Sequence, residues 1–374
     1  MKKITALMAS ILMVFTFYES AFAMAEGADC ACLINGITGD VVFSKNISQR
    51  HAMASTTKIM TAVIALENSH MDDEVAISSN ADAQEGSSAY VKAGSHVYML
   101  DLLYGLMLNS GNDAAVAIAE HIAGSSEAFA DMMNDKALEL GLRDTHFVNP
   151  NGLDDKEHFT TAYDLAIIAK YAMQNAAFRD IVSTKTYQAK TVDTNDMLYF
   201  KNHNKLLSQY EGATGIKTGY TKATGRCLVS SAMRDEMEFI AVTLGDGNDW
   251  NDHKEMLNYA FGEHYPKRVV EKGMTIKVAE IDGKKYNMIA ADDFTIPLKE
   301  HGKTEVEVVT HLIEDIEGPV NAGEKVGYID IRYDDKSVGM VDIISESDII
   351  KINEIRLKNS FFSDFTGVVK LLLL

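Results

Sequence analysis

The sequence predicts an α+β, multidomain protein, and three observations carry that reading. Apolar residues recur at helical spacing in several segments up to about residue 172. From Ala213 the pattern switches to three strand-like runs separated by polar turns. Beyond about residue 263 short alternating runs continue with no helical period, which marks a separate, small all-β unit. A length of 374 residues fits two domains with appendages. The chain divides into a leader (1–23), an α+β domain (24–264), an all-β domain (265–350) and an amphipathic helical tail (351–374).

In the leader, Lys2 and Lys3 precede an apolar run over residues 4–17, and Ala21-Phe22-Ala23 has the small-x-small form of a cleavage site. This is the pattern of a secretory signal peptide, and the apolar run is too short for a spanning helix. Residues 32–35 and 41–44 flank a Gly-rich turn and read as a hairpin. Residues 53–67 then form an apolar, helix-like run. Residues 68–98 are mixed and polar, with little to assign. Residues 99–122 read as two helical segments broken at Asn109-Ser110-Gly111-Asn112-Asp113. Another helix follows over 125–140, with Ser125 or Ser126 as its N-cap and Gly141 just past its end. A turn-rich loop over 146–153 leads to a helix opened by Thr160-Thr161, with Leu165, Ile168, Ala169 and Ala172 on one face. Residues 213–219, 227–232 and 239–244 make an antiparallel meander, closed by a helix over about 251–261.

The tail places Phe361, Phe362, Phe365, Val368, Val369 and Leu372 on one side of a helix, beside Lys351, Arg356, Lys358 and Lys370. Apolar surface next to local positive charge predicts a helix lying in a membrane interface. The protein as a whole has a formal charge of -19 and a pI near 5.0, which argues against nucleic acid as a partner and against general adsorption to an anionic surface. Cys30, Cys32 and Cys227 supply no disulfide framework and read as structural thiols. No histidine or cysteine spacing suits zinc, so neither a metal nor another cofactor is expected.

The chemistry begins at Ser55-Thr56-Thr57-Lys58. Residues three apart on a helix share a face, so the Lys58 amine can reach the Ser55 hydroxyl without help from tertiary structure. A hydroxyl is a poor nucleophile until a base removes its proton, and a lysine kept neutral by burial or by a nearby cation is such a base. Ser110-Gly111-Asn112 sits at a helix break, where Ser110 can relay a proton and Asn112 can hold a substrate amide. Lys217-Thr218-Gly219 lies on a strand edge. There Lys217 adds positive charge, Thr218 can bond a substrate carboxylate and Gly219 lets substrate backbone approach.

S-x-x-K, S-x-N and K-T-G in this order resemble the penicillin-binding proteins, and specifically the low-molecular-mass serine peptidases of the D-alanyl-D-alanine carboxypeptidase type. The resemblance covers nearly the whole chain after the leader. It includes Ala114-Ala115 after the second motif, the loop His146-Phe147-Val148-Asn149-Pro150-Asn151-Gly152-Leu153, and Gly215-Ile216 before the third motif. It implies a catalytic domain of the β-lactamase and penicillin-binding-protein type, in which an antiparallel sheet meets a helical region.

The activity implied is acyl transfer. Ser55 attacks the amide between the two terminal D-alanines of a peptidoglycan stem peptide, the last D-alanine leaves, and water releases the acyl-enzyme. Ser55, Lys58, Ser110, Asn112 and Lys217 are the implied catalytic set. Lys217, Thr218, Gly219 and Tyr220 are the implied substrate contacts, with backbone N–H groups of Ser55 and Tyr220 as the oxyanion hole. The resemblance also implies acylation by β-lactam antibiotics. Lys217 is expected to depress the Lys58 pKa.

Two departures stand out. Tyr220 follows the K-T-G where some relatives carry histidine, and residues 246–253 lack an arginine that some relatives use on the substrate carboxylate. Two other readings compete: a β-lactamase of the same fold, and a non-catalytic cell-wall-binding protein. The expected location is the outer face of the cytoplasmic membrane, while the sequence leaves the oligomeric state open.

Overall fold

The structure is a computed structural model that describes residues 24–281, 283–299, 304–313, 315–316, 319–350, 355–356 and 368–373. The leader expected at 1–23 lies outside the described residues.

A five-stranded antiparallel sheet organises the first part of the chain. Its strands are β1 (Cys30–Asn35), β2 (Val41–Lys45), β5 (Ala213–Thr221), β6 (Gly225–Arg234) and β7 (Met237–Leu244), in the spatial order β2-β1-β7-β6-β5. A separate hairpin, β3 (Thr186–Lys190) and β4 (Met197–Lys201), was not expected from sequence. The central strand β7 is buried at every position, because both faces of the sheet are covered. On one face Cys30, Cys32 and Ile34 of β1 join Ile240, Val242 and Leu244 of β7 in the main core. On the other, Ala31, Leu33, Phe239 and Ala241 pack on Met256, Leu257 and Ala260. Those three belong to a long helix, α7, described below. The strict alternation follows from the period of two along a strand. All three cysteines are free and buried in these layers.

The helices gather on the first face. They are α1 (Lys58–Asn68), α2 (Met99–Leu108), α3 (Asn112–Ala123), α4 (Ser126–Glu139), α5 (Ala162–Ala172) and α6 (Ala176–Ser183), while α7 (Asp249–Glu263) covers the second face. Lys58 to Ala65 of α1 are all buried, so this helix runs through the core rather than over it. The predicted caps are present. Ser125 Oγ accepts from Ala128 N at 3.1 Å and Thr161 Oγ1 from Asp164 N at 3.0 Å, each satisfying a first-turn amide. Gly124 closes α3 at φ 81°, where a side chain would be strained.

The β domain is built mainly from β8 (His264–Val270), β9 (Thr275–Ile281), β10 (Lys284–Ala290), β11 (Phe294–Lys299), β12 (Thr304–Leu312), β13 (Lys325–Tyr333), β14 (Lys336–Ser345) and β15 (Val368–Leu373). β8 pairs with β11, and a six-stranded sheet has the order β9-β10-β14-β13-β12-β15. Its own core is built on Val270, Met288, Ile296, Ile329, Ile331 and Ile343. Polar links tie it to the first domain: Asn35 Nδ2 donates to Pro297 O at 3.5 Å, Arg268 pairs with Glu236 at 3.3 Å, and Thr295 Oγ1 bonds Glu236.

The tail corrects one expectation. Val368–Leu373 is a strand, antiparallel to β12 with Val306 opposite Leu371, and not part of an amphipathic helix. The segment reads VVKLLL, whose β-branched start suits a strand, and the free edge of β12 offers unpaired backbone groups to it. Residues 357–367, on which the helical pattern mostly rested, lie outside the described residues. Among the described residues no helix is long and apolar enough to cross a membrane.

Candidate active site

Ser55 sits on a single 3-10 turn, Ala54–Thr57, and Lys58 opens α1 directly behind it. Lys58 Nζ lies 3.2 Å from Ser55 Oγ. It also donates to Asn112 Oδ1 at 2.7 Å and to the carbonyl of Asn151 at 2.5 Å. A neutral amine has two N–H groups and one lone pair. With the two N–H groups directed at Asn112 and Asn151, the lone pair is left for the hydroxyl hydrogen of Ser55. Lys58 is completely buried, and its pKa is held well below the ordinary lysine value. Burial is the largest cause, repulsion from Lys217 comes second, and Asp113 opposes both. Lys217 thus lowers the Lys58 pKa as expected, and desolvation, which the sequence did not rank, does more.

The loop after α4 holds the nucleophile turn. Gly152, at φ 85°, lies so close to it that an added Cβ would come within 2.0 Å of Ala54 O. Pro150 O accepts from Thr61 Oγ1 at 2.6 Å. His158 Nδ1 accepts from Val148 N, so Nε2 carries the hydrogen and donates to Thr57 Oγ1 at 2.7 Å. Thr57 in turn donates to Ala54 O. Burial pushes the His158 pKa down to about 4, which keeps the ring neutral for this role.

The second motif forms the opposite wall. Ser110 stands at φ 62° in the break between α2 and α3, and lines the cleft with Ser55 and Ser87. Asn112 is fixed at both ends of its amide, since Nδ2 donates to Glu85 O at 2.6 Å while Oδ1 receives Lys58. Next to it, buried Asp113 accepts from Ser88 Oγ and from the amides of Ala89 and Val91, pinning the 85–91 loop to the start of α3.

The third motif lies on β5, an edge strand of the sheet. Thr218, Gly219 and Tyr220 line the cleft, and a Cβ on Gly219 would meet Met53 O at 3.1 Å and Ser55 N at 3.2 Å. This strand therefore presses backbone to backbone on the nucleophile turn, and a side chain here would push that turn away by a few tenths of an ångström. Lys217 is 1% exposed, donates to Thr218 O at 2.9 Å, and is pushed down to about 7 by burial. Such a lysine is a poor carrier of permanent positive charge at neutral pH.

The cleft, of about 410 Å³, brings in residues that the sequence reading missed: Ser87, His203, Arg226, Asp249 and Trp250. Arg226, on β6 opposite Tyr220, is the half-exposed cation of this wall. Its Nε and Nη2 donate to buried Asp249 at 3.0 and 2.6 Å, and its guanidinium lies 5.5 Å from the Trp250 ring. This fork leaves Nη1 unused by Asp249, aimed by a rigid pair rather than by a free chain. The hairpin turn after Thr221 carried the signal, because a tight β5–β6 register sets Arg226 beside Tyr220. His203 lines the same cleft, and its pKa is lowered by burial and then by Lys217. Among the described residues no group of three or more His, Cys, Asp or Glu side chains is placed to hold a metal ion.

Residues 18–248 match the D-alanyl-D-alanine carboxypeptidase family (peptidase S11), and residues 265–351 match the family described as the C-terminal domain of penicillin-binding protein 5. The chain is 31% identical to the D-alanyl-D-alanine carboxypeptidase DacF of Bacillus subtilis (strain 168), over 98% of this chain and 99% of that one. It is 38% identical to a D-alanyl-D-alanine carboxypeptidase of Streptomyces sp. (strain K15), over 61% of this chain and 85% of that protein. Among solved structures, the Streptomyces K15 DD-transpeptidase superposes with a TM-score of 0.60 at 36% identity, covering 63% of this chain and 97% of that chain. The D-alanyl-D-alanine carboxypeptidase DacD of Francisella tularensis also superposes at 0.60, with 27% identity over 87% of this chain and 94% of that one. With a family match across most of the chain and a relative alike over nearly all of it, the protein belongs to the D-alanyl-D-alanine carboxypeptidase family of serine peptidases.

Proposed function

We propose that the protein removes the terminal D-alanine from peptidoglycan stem peptides through an acyl-enzyme on Ser55. The observation that carries the reading is the Lys58 amine, completely buried and 3.2 Å from Ser55 Oγ, with acceptors for its two N–H groups already in place. As Ser55 Oγ bonds the scissile carbonyl carbon, its proton passes to Lys58 Nζ. Backbone N–H groups of Ser55 and Tyr220 receive the oxyanion. The C–N bond then breaks, and Ser110 relays the proton to the leaving amine. Water, deprotonated by the same amine, attacks the ester and frees Ser55.

Thr218 and Arg226 hold the terminal carboxylate. Arg226 takes the part of permanent cation, since Lys217 titrates near neutrality and spends a donor on Thr218 O. A β-lactam carries a carboxylate and a strained amide in similar relation, so the same groups favour covalent acylation by penicillin. Relatives named as D-alanyl-D-alanine carboxypeptidases over nearly the full chain favour this reading over a β-lactamase or a non-catalytic wall-binding protein.

The deciding measurement is D-alanine release from a muramyl pentapeptide mimic by wild type and by Ser55→Ala. Release by the wild type alone is expected, and equal release by both would end the proposal. Fast multiple turnover of penicillin would move the assignment to a β-lactamase. The location proposed is the cell envelope, reached by removal of 1–23, with membrane contact through 351–374. Deletion after Asn359 should then shift the protein from the membrane to the soluble fraction.

A further inference from the structure

A second cavity, of about 480 Å³, opens where the two domains meet, and Gly39, Tyr163, Ile167, Lys170, Tyr171 and Lys336 are among its walls. It lies at the β2 end of the five-stranded sheet, four strands from the β5 edge that carries Lys217. At about 4.8 Å per strand that is roughly 19 Å away, so it is no part of the cleft.

Its unusual property is charge. Lys170 on α5 and Lys336 at the start of β14 face one cavity, and among the described residues neither forms an ion pair. The Lys170 stem lies over Gly39, where an added Cβ would meet Cε at 3.5 Å, and its residue is only partly exposed. Burial and then repulsion from Lys336 lower the Lys170 pKa, which reports that the two ammoniums share one space. One carboxylate, Asp40, also lines the cavity; Thr38 Oγ1 at 2.9 Å and the Tyr333 hydroxyl hold it in place, and it balances at most one of the two ammoniums. Asp334 and Asp335 share the turn of Lys336 but do not line the cavity. The Tyr171 hydroxyl donates to Glu67, so its ring forms wall. In a chain of formal charge -19, a cavity in which two ammoniums outnumber the single lining carboxylate is an exception that an anion would resolve.

We propose that Lys170 and Lys336 form a phosphate-binding subsite shared by the catalytic and β domains. A compact ammonium binds phosphate as a point charge, and the several oxygens of one phosphate can meet two ammoniums that approach from different directions. The cavity is larger than a single phosphate, and its tyrosine walls suit the polyol or sugar of a phosphodiester. An anion bound there bridges the two domains.

The test titrates the full chain with three probes at constant ionic strength set by sodium chloride: inorganic phosphate, an oligomer of poly(glycerol phosphate), and phosphatidylglycerol vesicles. Phosphorus NMR line broadening reads the first two, and co-sedimentation reads the third. Saturable binding of at least one probe is expected, weakened at least tenfold in Lys170→Met and in Lys336→Met and unchanged in Lys272→Met. Methionine keeps the apolar stem of Lys170, and covalent penicillin labelling of each variant at the wild-type level reports that it is folded. The probe bound most tightly identifies the source of the phosphate. Absence of saturable binding to all three, or equal binding by wild type and both variants, overturns the proposal.

Discussion

The two edges of the central sheet each carry a pair of lysines, and they use them in opposite ways. At the β5 edge Lys58 and Lys217 are fully buried, and Lys58 has a defined partner for every hydrogen it holds when neutral. At the β2 edge Lys170 is only partly buried and Lys336 exposed, in a cavity where they outnumber the one lining carboxylate, Asp40. Complete desolvation with neutral acceptors favours the uncharged amine and makes a base. Partial burial beside a second cation leaves charge in place and makes a site for an anion. The same residue type thus acquires two chemistries from its solvent exposure and its neighbours.

The largest test of this contrast removes one amine from each edge. Lys58→Met should slow penicillin acylation of Ser55 by about 10³-fold, the middle of the range for a general base. Lys170→Met should change it less than about twofold, because a surface change remote from the cleft leaves transition-state binding alone. Comparable losses in both variants would erase the distinction. Next in size is Gly152→Ala. A methyl directed at Ala54 O from a left-handed backbone should cost about 2–4 kcal/mol in urea unfolding, and acylation should fall with the displaced turn.

Arg226→Gln sharpens the comparison within the cleft. If Arg226, and not Lys217, carries the permanent charge, KM for the pentapeptide mimic should rise about 10- to 100-fold, with kcat changed much less. An unchanged KM would return the carboxylate to Lys217 and Thr218.

The smallest effect concerns acid. His158 is neutral in the fold, with a pKa lowered from 6.5 to about 4, so the unfolded chain binds a proton that the native chain refuses. Its contribution is complete above pH 6.5 and is lost as pH falls toward 4, on the order of 3 kcal/mol at most. His253, lowered to about 3 by burial, adds in the same direction. Unfolding midpoints measured between pH 7 and 4 should fall, and His158→Gln should flatten part of that slope.

What was legible beforehand follows from where the information resides. Ser55, Lys58, Ser110, Asn112, Lys217 and Thr218 lie in short motifs of chemically suggestive residue types, and the structure gathers all six about one cleft or its buried wall. The strand meander and the Ser125 and Thr161 caps were readable because periodicity and capping are local. The Asn151 carbonyl that orients Lys58 has no signature, since every residue has a carbonyl. The Arg226–Asp249 pair joins a strand to a helix and depends on register. The tail failed for the reverse reason. An apolar stripe at helical spacing was present, but Val368–Leu373 found an open strand edge, a tertiary fact that local pattern does not encode.

The position of β5 at the rim of its sheet has a consequence for selectivity among walls. Its outer backbone groups border the cleft beside Ser55, so a stem peptide laid along it would be held through main-chain bonds that every L- and D-residue can make. Recognition of that kind measures chain direction while tolerating change in the side chains along the stem. An enzyme built this way would read the backbone of its substrate closely and the side chains along it loosely.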